Sequence, residues 1–357
     1  MAITPLPLPG YRPKKEPVIP SLSSELAWVV DALFVFMALL IYLLGMNSPW
    51  KPLVDNVSIN FLAIMVEALP FMLIGSLAGG IIEVFISVER VEKIVHQRTV
   101  RVVFLAAAMG LAFPVCECAI VPVVRRLLGK GVPFGAAVAF LLAGPIVNPI
   151  VAASTAVAYS YDWNVVVLRL VSGYIIAVVV GLLLGVFFTR ENGLVPRRYL
   201  AQSCGCDHDH NAPIRSFPLR LLHSLEHAVD DLFDVGRYLV IGAFIASIMR
   251  SIVPMNSFLA LQESPWQAIL IMMLLALLLN LCSEADAFIA ASFRTLLPGS
   301  AQMAFMVMGP MLDIKLILMY FSVFQRRVII SLILSVSLSV FLAMLALEYW
   351  LPLGVLP

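Results

Sequence analysis

Nine long apolar runs divide the chain, over residues 26–47, 58–86, 102–124, 133–161, 164–189, 235–254, 265–293, 301–325 and 328–350. A run of about 18 or more apolar residues is long enough to cross hydrocarbon as a helix. The pattern therefore predicts an all-α polytopic membrane protein of about eight or nine hydrophobic segments. Four runs are interrupted near their middle. The third carries Phe113-Pro114-Val115-Cys116-Glu117-Cys118, and the seventh carries Asn280-Leu281-Cys282-Ser283-Glu284-Ala285-Asp286. The fourth holds Gly144-Pro145 and Asn148-Pro149, and the eighth Gly309-Pro310 and Asp313. An ionisable group at bilayer depth costs about 2.5–3.5 kcal/mol on insertion scales. A backbone break there is tolerated only where protein or a water-filled cavity satisfies it. The interruptions predict broken or re-entrant helices whose tips wall a substrate site.

The first run stands apart, and the other eight form two sets of four. Pro70-Phe71-Met72-Leu73-Ile74-Gly75 matches Arg237-Tyr238-Leu239-Val240-Ile241-Gly242. At the same offset Glu67 meets Asp234 and Glu117 meets Glu284; two residues of drift later, Gly144-Pro145 meets Gly309-Pro310 and Asn148 meets Asp313. Under this alignment Cys116 meets Ser283, so the thiols do not correspond. Paired interrupted segments in two halves mark the binding site of many transporters. The implied organisation is an N-terminal tail with an extra transmembrane helix over 1–54, a first permease repeat over 55–190, a cytoplasmic loop over 191–233 and a second repeat over 234–357. Basic residues flank both ends of the third segment: Arg90, Lys93, Arg98 and Arg101 before it, Arg125, Arg126 and Lys130 after it. Basic loops mark the cytoplasmic side, so both ends belong there and the third segment reads as a re-entrant hairpin. The same scheme makes the seventh a hairpin entering from outside, and the repeats inverted; the alternative is that every segment crosses, giving parallel repeats and basic loops on both sides. Gly75-x-x-x-Gly79, Gly131-x-x-x-Gly135 and Gly181-x-x-x-Gly185 read as close helix contacts.

Composition narrows the class. The chain of 357 residues is 61% hydrophobic and 13% charged, against about 25% charged in a soluble domain. A net charge of +1 spread over loops points to no nucleic-acid partner. The Pro-rich start, to about Ser21, precedes an apolar run too long for a signal-peptide core, so no signal peptide is expected. There is no G-x-x-x-x-G-K-[ST], G-x-S-x-G or H-E-x-x-H. The expectation is a secondary transporter and not an enzyme, with no obligatory cofactor.

The candidate chemistry sits at the interruptions. Cys116, Cys118 and Cys282 are soft ligands, suited to Cu(I), Zn(II) or trivalent metalloids; a buried Cys with no ligand role is a small hydrophobe. In an extended hairpin tip both flanking sulfurs would face one cavity and Glu117 another. Glu117, Glu284, Asp286 and Asp313 are intramembrane acids, which commonly mark ion pathways; their other use is hydrogen bonding to backbone freed at a break. Ser283 and Asn148 lie beside them. Pro114, Gly144, Pro145, Pro149, Gly309 and Pro310 are read as helix breaks, since proline removes a donor and clashes with the preceding turn. The loop run Cys204-Gly205-Cys206-Asp207-His208-Asp209-His210 could bind Zn or Cu through Cys204, Cys206, His208 and His210. Its spacing is tighter than that of a structural zinc site, which favours a capture or sensing tail. His223 and His227, four apart, could add ligands or be a solvated helix face.

Phe113-Pro-Val-Cys-Glu-Cys, Gly144-Pro-Ile-Val-Asn-Pro and Cys282-Ser-Glu-Ala-Asp-Ala resemble the predicted-permease family that includes the bacterial organoarsenical efflux permease ArsP. The resemblance covers residues 55–350. It implies a bacterial inner-membrane efflux protein with Cys116, Glu117, Cys118, Asn148, Cys282, Glu284 and Asp286 at the family's motif positions. The Cys/His loop lies outside that core and tilts the cargo toward a metal ion. The expected function is export of a soft metal ion or metalloid against protons, with a homo-oligomer or an accessory protein as the expected partner. The alternatives are a permease for another small ion with structural cysteines, and a membrane thiol redox protein using Cys116 and Cys118.

Overall fold

In a computed structural model the described residues are 51–85, 99–111, 116–194, 217–252 and 264–350. The chain divides after Val54, and the fold below is that of the unit Asp55–Pro357. The first apolar run, Pro114 and the Cys204–His210 run lie outside the described residues. The elements are helices: α1 Lys51–Phe85, α2 Thr99–Ala108, α3 Glu117–Gly129, α4 Phe134–Ala143, α5 Pro149–Ala158, α6 Trp163–Phe187, α7 Phe217–Ile252, α8 Pro265–Leu279, α9 Ser283–Ser292, α10 Gly299–Met311, α11 Ile314–Tyr320 and α12 Arg326–Trp350. The described residues contain no strand, only one isolated antiparallel bridge between Leu194 and Phe324. Five helical stretches are long and apolar enough to cross a membrane: 51–82 (α1), α6, 224–252 (α7), 299–320 (α10 with α11) and α12. The protein is an all-α polytopic membrane protein.

Each half runs long helix, broken pair, broken pair, long helix. The pieces α2, α4, α5 and α9 have 10 residues each, so each reaches about 15 Å against a hydrocarbon core of about 30 Å. None of them crosses alone. α4 and α10 form the centre, with α4 buried from Phe134 to Ala143 and α10 from Ser300 to Met311. They are apolar all round because they meet protein on every side. α6 and α12 are the rim. α6 exposes Val167, Val171, Ile175, Val179 and Leu183, and α12 exposes Ile330, Leu334, Leu338 and Leu342. These four-residue stripes are apolar and outward, the reverse of a water-soluble helix, as lipid contact requires. α4 packs on α6 and α2, and α10 on α12 and α8. The halves also exchange contacts: α9 packs on α5, and α3 on α11. Small residues allow the closest approach. A Cβ on Gly135 would strike the Gly181 carbonyl, so α4 and α6 touch backbone to backbone.

The breaks have local causes. α4 ends at Ala143 because Pro145 cannot continue the ladder. Asn148 then restarts the chain, its side chain accepting a 2.9 Å bond from the Ile150 amide, with Pro149 in the first turn of α5. α8 ends where Asn280 turns left-handed, at φ 52°, a conformation Asn tolerates better than most residues. Asp313 caps α11, accepting a 2.6 Å bond from the Leu316 amide.

One expected break is displaced. Gly309 and Pro310 lie inside α10, and the chain leaves the helix at Leu312 and Asp313. Pro310 has no N–H, so it leaves the Met306 carbonyl without its helical donor. Arg169 of α6 fills that vacancy, donating to the Met306 oxygen at 3.2 Å. Gly309 serves close approach: a Cβ there would collide with the Asp286 carboxylate of α9. Gly309→Ala is therefore expected to cost about 1–3 kcal/mol by overpacking. Gly236→Ala, whose Cβ would make only an ordinary 3.7 Å contact with Met72, should be neutral or better. Thermal unfolding of the two variants in detergent checks the contrast.

Candidate functional site

Three helices begin at one place in the middle of the molecule. α3 starts after Cys116 and α9 after Cys282, both extended caps at nearly the same backbone angles (φ −76°, ψ 169° and φ −78°, ψ 158°). α11 starts after Asp313. The opening amides of a helix have no partners within it, and its N-terminus favours negative charge. Glu117 occupies the first turn of α3, and Glu284 and Asp286 that of α9. Neither cysteine uses its sulfur as a cap acceptor. The thiols are free.

A small, half-open polar cavity lies between these starts and α1. From α3 and its cap it is lined by Cys116, Glu117 and Cys118; from α9 and its cap by Cys282 and Glu284; from α11 by Lys315; and from α1 by Glu67 with Ile64, Ala68 and Phe71. Glu117 and Cys118 thus face the same space as Cys116, not opposite sides. The cause is that the segment is the start of a helix and not an extended tip, so successive side chains fan over one end. The caps also correspond directly, Cys116 with Cys282, one residue off the pairing that the acids suggest.

The charges are tied together across the halves. The Lys315 ammonium donates to Glu117 Oε1 at 3.1 Å and stands 3.4 Å from Asp313 Oδ2. The Ser283 hydroxyl donates to the other Glu117 oxygen at a long 3.4 Å. With its amide nitrogen turned toward the carboxylate, Asn280 reaches both Asp313 oxygens, at 2.6 and 2.9 Å. Cys282 is within hydrogen-bond reach of Glu67 and Glu284. Glu117, Asp313 and Lys315 are buried.

Asp286 and Asn148 stand outside the cavity lining. Asn148 is buried as the cap of α5. Asp286 lies toward Arg169, which is fully buried. Arg169 donates to the Thr155 hydroxyl at 2.7 Å, to the Ser283 carbonyl at 2.7 Å and to the Met306 carbonyl. It thus fastens α5, α9 and α10 to the rim helix α6. Glu67 and Asp234, paired in sequence, do different work. Glu67 lines the cavity, whereas Asp234 binds Arg125 at 2.9 Å. Arg125 and Arg126 are not free loop charges. They lie on α3 and pair with Asp231 of α7, Arg126 at 2.6 Å.

Sequence reading missed Lys315 and Arg169. Lys315 had a signal, a base two residues from an acid inside an apolar run. Arg169 had none, since it sits near the start of its run, where an interfacial flank is expected. Among the described residues no group of three or more His, Cys, Asp or Glu side chains is arranged to hold a metal ion. The thiols and acids ring the cavity and do not converge.

The family described as predicted permease matches residues 55–349. A Streptococcus mutans protein, named as a candidate two-component membrane permease complex subunit, is 39% identical over 78% of this chain and 90% of its own length. The Bacillus subtilis UPF0718 protein YcgR is 40% identical over 76% of this chain and 90% of its own. The Escherichia coli UPF0718 protein YraQ is 26% identical over 38% of each. No solved structure matches the chain.

Breaking a buried ion pair by removing one partner leaves a charge uncompensated and costs about 3–5 kcal/mol. Lys315→Met, which leaves Glu117 and Asp313 without their cation, is expected to lose stability on that scale, and Glu117→Gln less, because Asp313 still faces the ammonium. The double variant should lose less than the sum, with a coupling of about 1–3 kcal/mol. A double-mutant cycle of thermal unfolding in detergent measures it; additive losses would mean that the pair does not interact.

Proposed function

This chain belongs to the predicted permease family, and we propose that it is a secondary permease of the bacterial inner membrane exporting a soft cation or metalloid through the central cavity. It carries out no covalent chemistry in this reading. The observation that carries it is the lining itself: three thiols and three carboxylates, drawn from both halves, at one polar space inside an apolar bundle. Thiols favour soft species. Because the ligands ring the space, the cargo meets them from several sides, which suits an organometalloid or a partly hydrated ion. Glu117 and Glu284 face the same cavity as the thiols, and they are the groups to exchange protons with cargo, as intramembrane acids do in pumps and transporters.

The matching order of long and broken helices, with α9 on α5 and α3 on α11, supports a two-fold relation between the halves, and we read them as inverted repeats. The name of the Streptococcus mutans relative supports an accessory protein as partner; a homo-oligomer is the other assembly. The Cys204–His210 run would deliver Zn or Cu to the site or sense it. The scattered ligands favour one second reading, a permease for another small cation in which the cysteines only pack.

The test is growth of a deletion strain, with and without this gene, across transition metals, arsenite and methylarsenite. The parent gene should protect, and both Glu117→Gln and the double variant Cys116→Ser, Cys118→Ser should lose protection. If the cysteine variant protects as well as the parent while Glu117→Gln fails, the second reading holds.

A further inference from the structure

Among the described residues, Lys315 is the one cation lining a cavity that also presents Glu67, Glu117 and Glu284. Its ammonium has two carboxylate partners of unequal freedom. Asp313 is committed: it caps α11 through the Leu316 amide and also meets Asn280. Glu117 is not. Among the described residues its second oxygen meets the Ser283 hydroxyl alone, at 3.4 Å, and its first Lys315 alone. Glu117 is therefore the carboxylate that can change partners. The backbone of Lys315 is fixed, because Gly242 of α7 packs so closely that a Cβ there would lie 2.7 Å from the Lys315 Cα. What can move is the flexible four-carbon stem. A buried charge left without a partner costs several kcal/mol. Lys315 escapes that cost when it gives up Glu117, because Asp313 Oδ2 already stands 3.4 Å away.

We propose that Lys315 is a tethered counter-cation of the cargo site: it holds Glu117 while the cavity is empty and moves onto Asp313 when a cationic cargo takes Glu117. The role rests on the reading of the cavity as the cargo site. It makes the cargo a competitor of a built-in ammonium, so the cavity favours a cation over an anion. It also links loading to geometry, since Glu117 belongs to the start of α3 and Lys315 to α11. Cargo arrival cuts the ion pair that joins those two helices.

Cd²⁺, a soft divalent cation, serves as the probe on full-length protein in detergent. Parent protein should bind a Cd²⁺ that Glu117→Gln does not, which separates this site from any other. Lys315→Met, lacking the competitor, should bind that Cd²⁺ roughly tenfold tighter, within the range of couplings between interacting sites, and should gain more thermal stability from it than the parent gains. Lys315→Arg should behave as the parent. Asp313→Asn keeps a capping side chain but removes the place of retreat, so it should bind more weakly; it carries the test if Lys315→Met does not fold. Equal or weaker binding by folded Lys315→Met, or unchanged binding by Asp313→Asn, overturns the role of Lys315 and leaves the cargo site standing. Absence of any Glu117-dependent Cd²⁺ in both parent and Lys315→Met overturns both.

Discussion

A helix broken inside a membrane must find donors and acceptors in protein, because lipid offers none. This structure depends on meeting that demand at the breaks among its described residues. Two of the restarts are closed by side chains, Asn148 and Asp313 capping the helices they precede, and Asn280 takes the left-handed turn that ends α8. Where a proline inside a helix frees a carbonyl, an arginine from a neighbouring helix completes it. The central helices are apolar and small-sided enough to pack on all faces. The rim helices turn their larger side chains outward to lipid.

The same breaks create the polar interior. Ending helices at mid-depth brings N-termini together, and N-termini accept negative charge. Acids in the first turns of α3 and α9 follow from that, and Lys315 offsets part of the charge they bring. Polar groups that would be costly on a continuous helix are thus gathered at one cavity, where Glu117 and Lys315 hold each other from different helices. Arg169 does the mechanical counterpart on the other side of α9, fixing three broken pieces to α6. The cavity side includes a long contact, 3.4 Å from the Ser283 hydroxyl to Glu117, and a lysine with a flexible stem. Change is easier there than around Arg169.

That the chain is all-helical and crosses a membrane several times was legible in the sequence, and so were the interruptions before Asn148, between Asn280 and Cys282, and at Asp313. Hydrophobic runs and prolines act through the local chain, and a membrane reads them almost directly. The cysteines and acids of the two motifs were legible too, because such residues seldom stand in an apolar run without a use. Gly309 and Pro310 show where that reasoning ran short. Their types implied a break, yet one makes room for a carboxylate and the other frees a carbonyl for an arginine. Both uses depend on residues from other helices.

The linear chain thus determined that this protein spans a membrane as helices and where most of the described helices are interrupted. Those properties follow from transfer energies and backbone chemistry within a few neighbouring residues. Only the tertiary structure decided that Cys116 and Cys282 are equivalent caps, that Glu117 meets Lys315, and that Arg125 is paired with acids of α7. Partner choice between distant charges depends on which helix faces which, and packing sets that over the whole bundle.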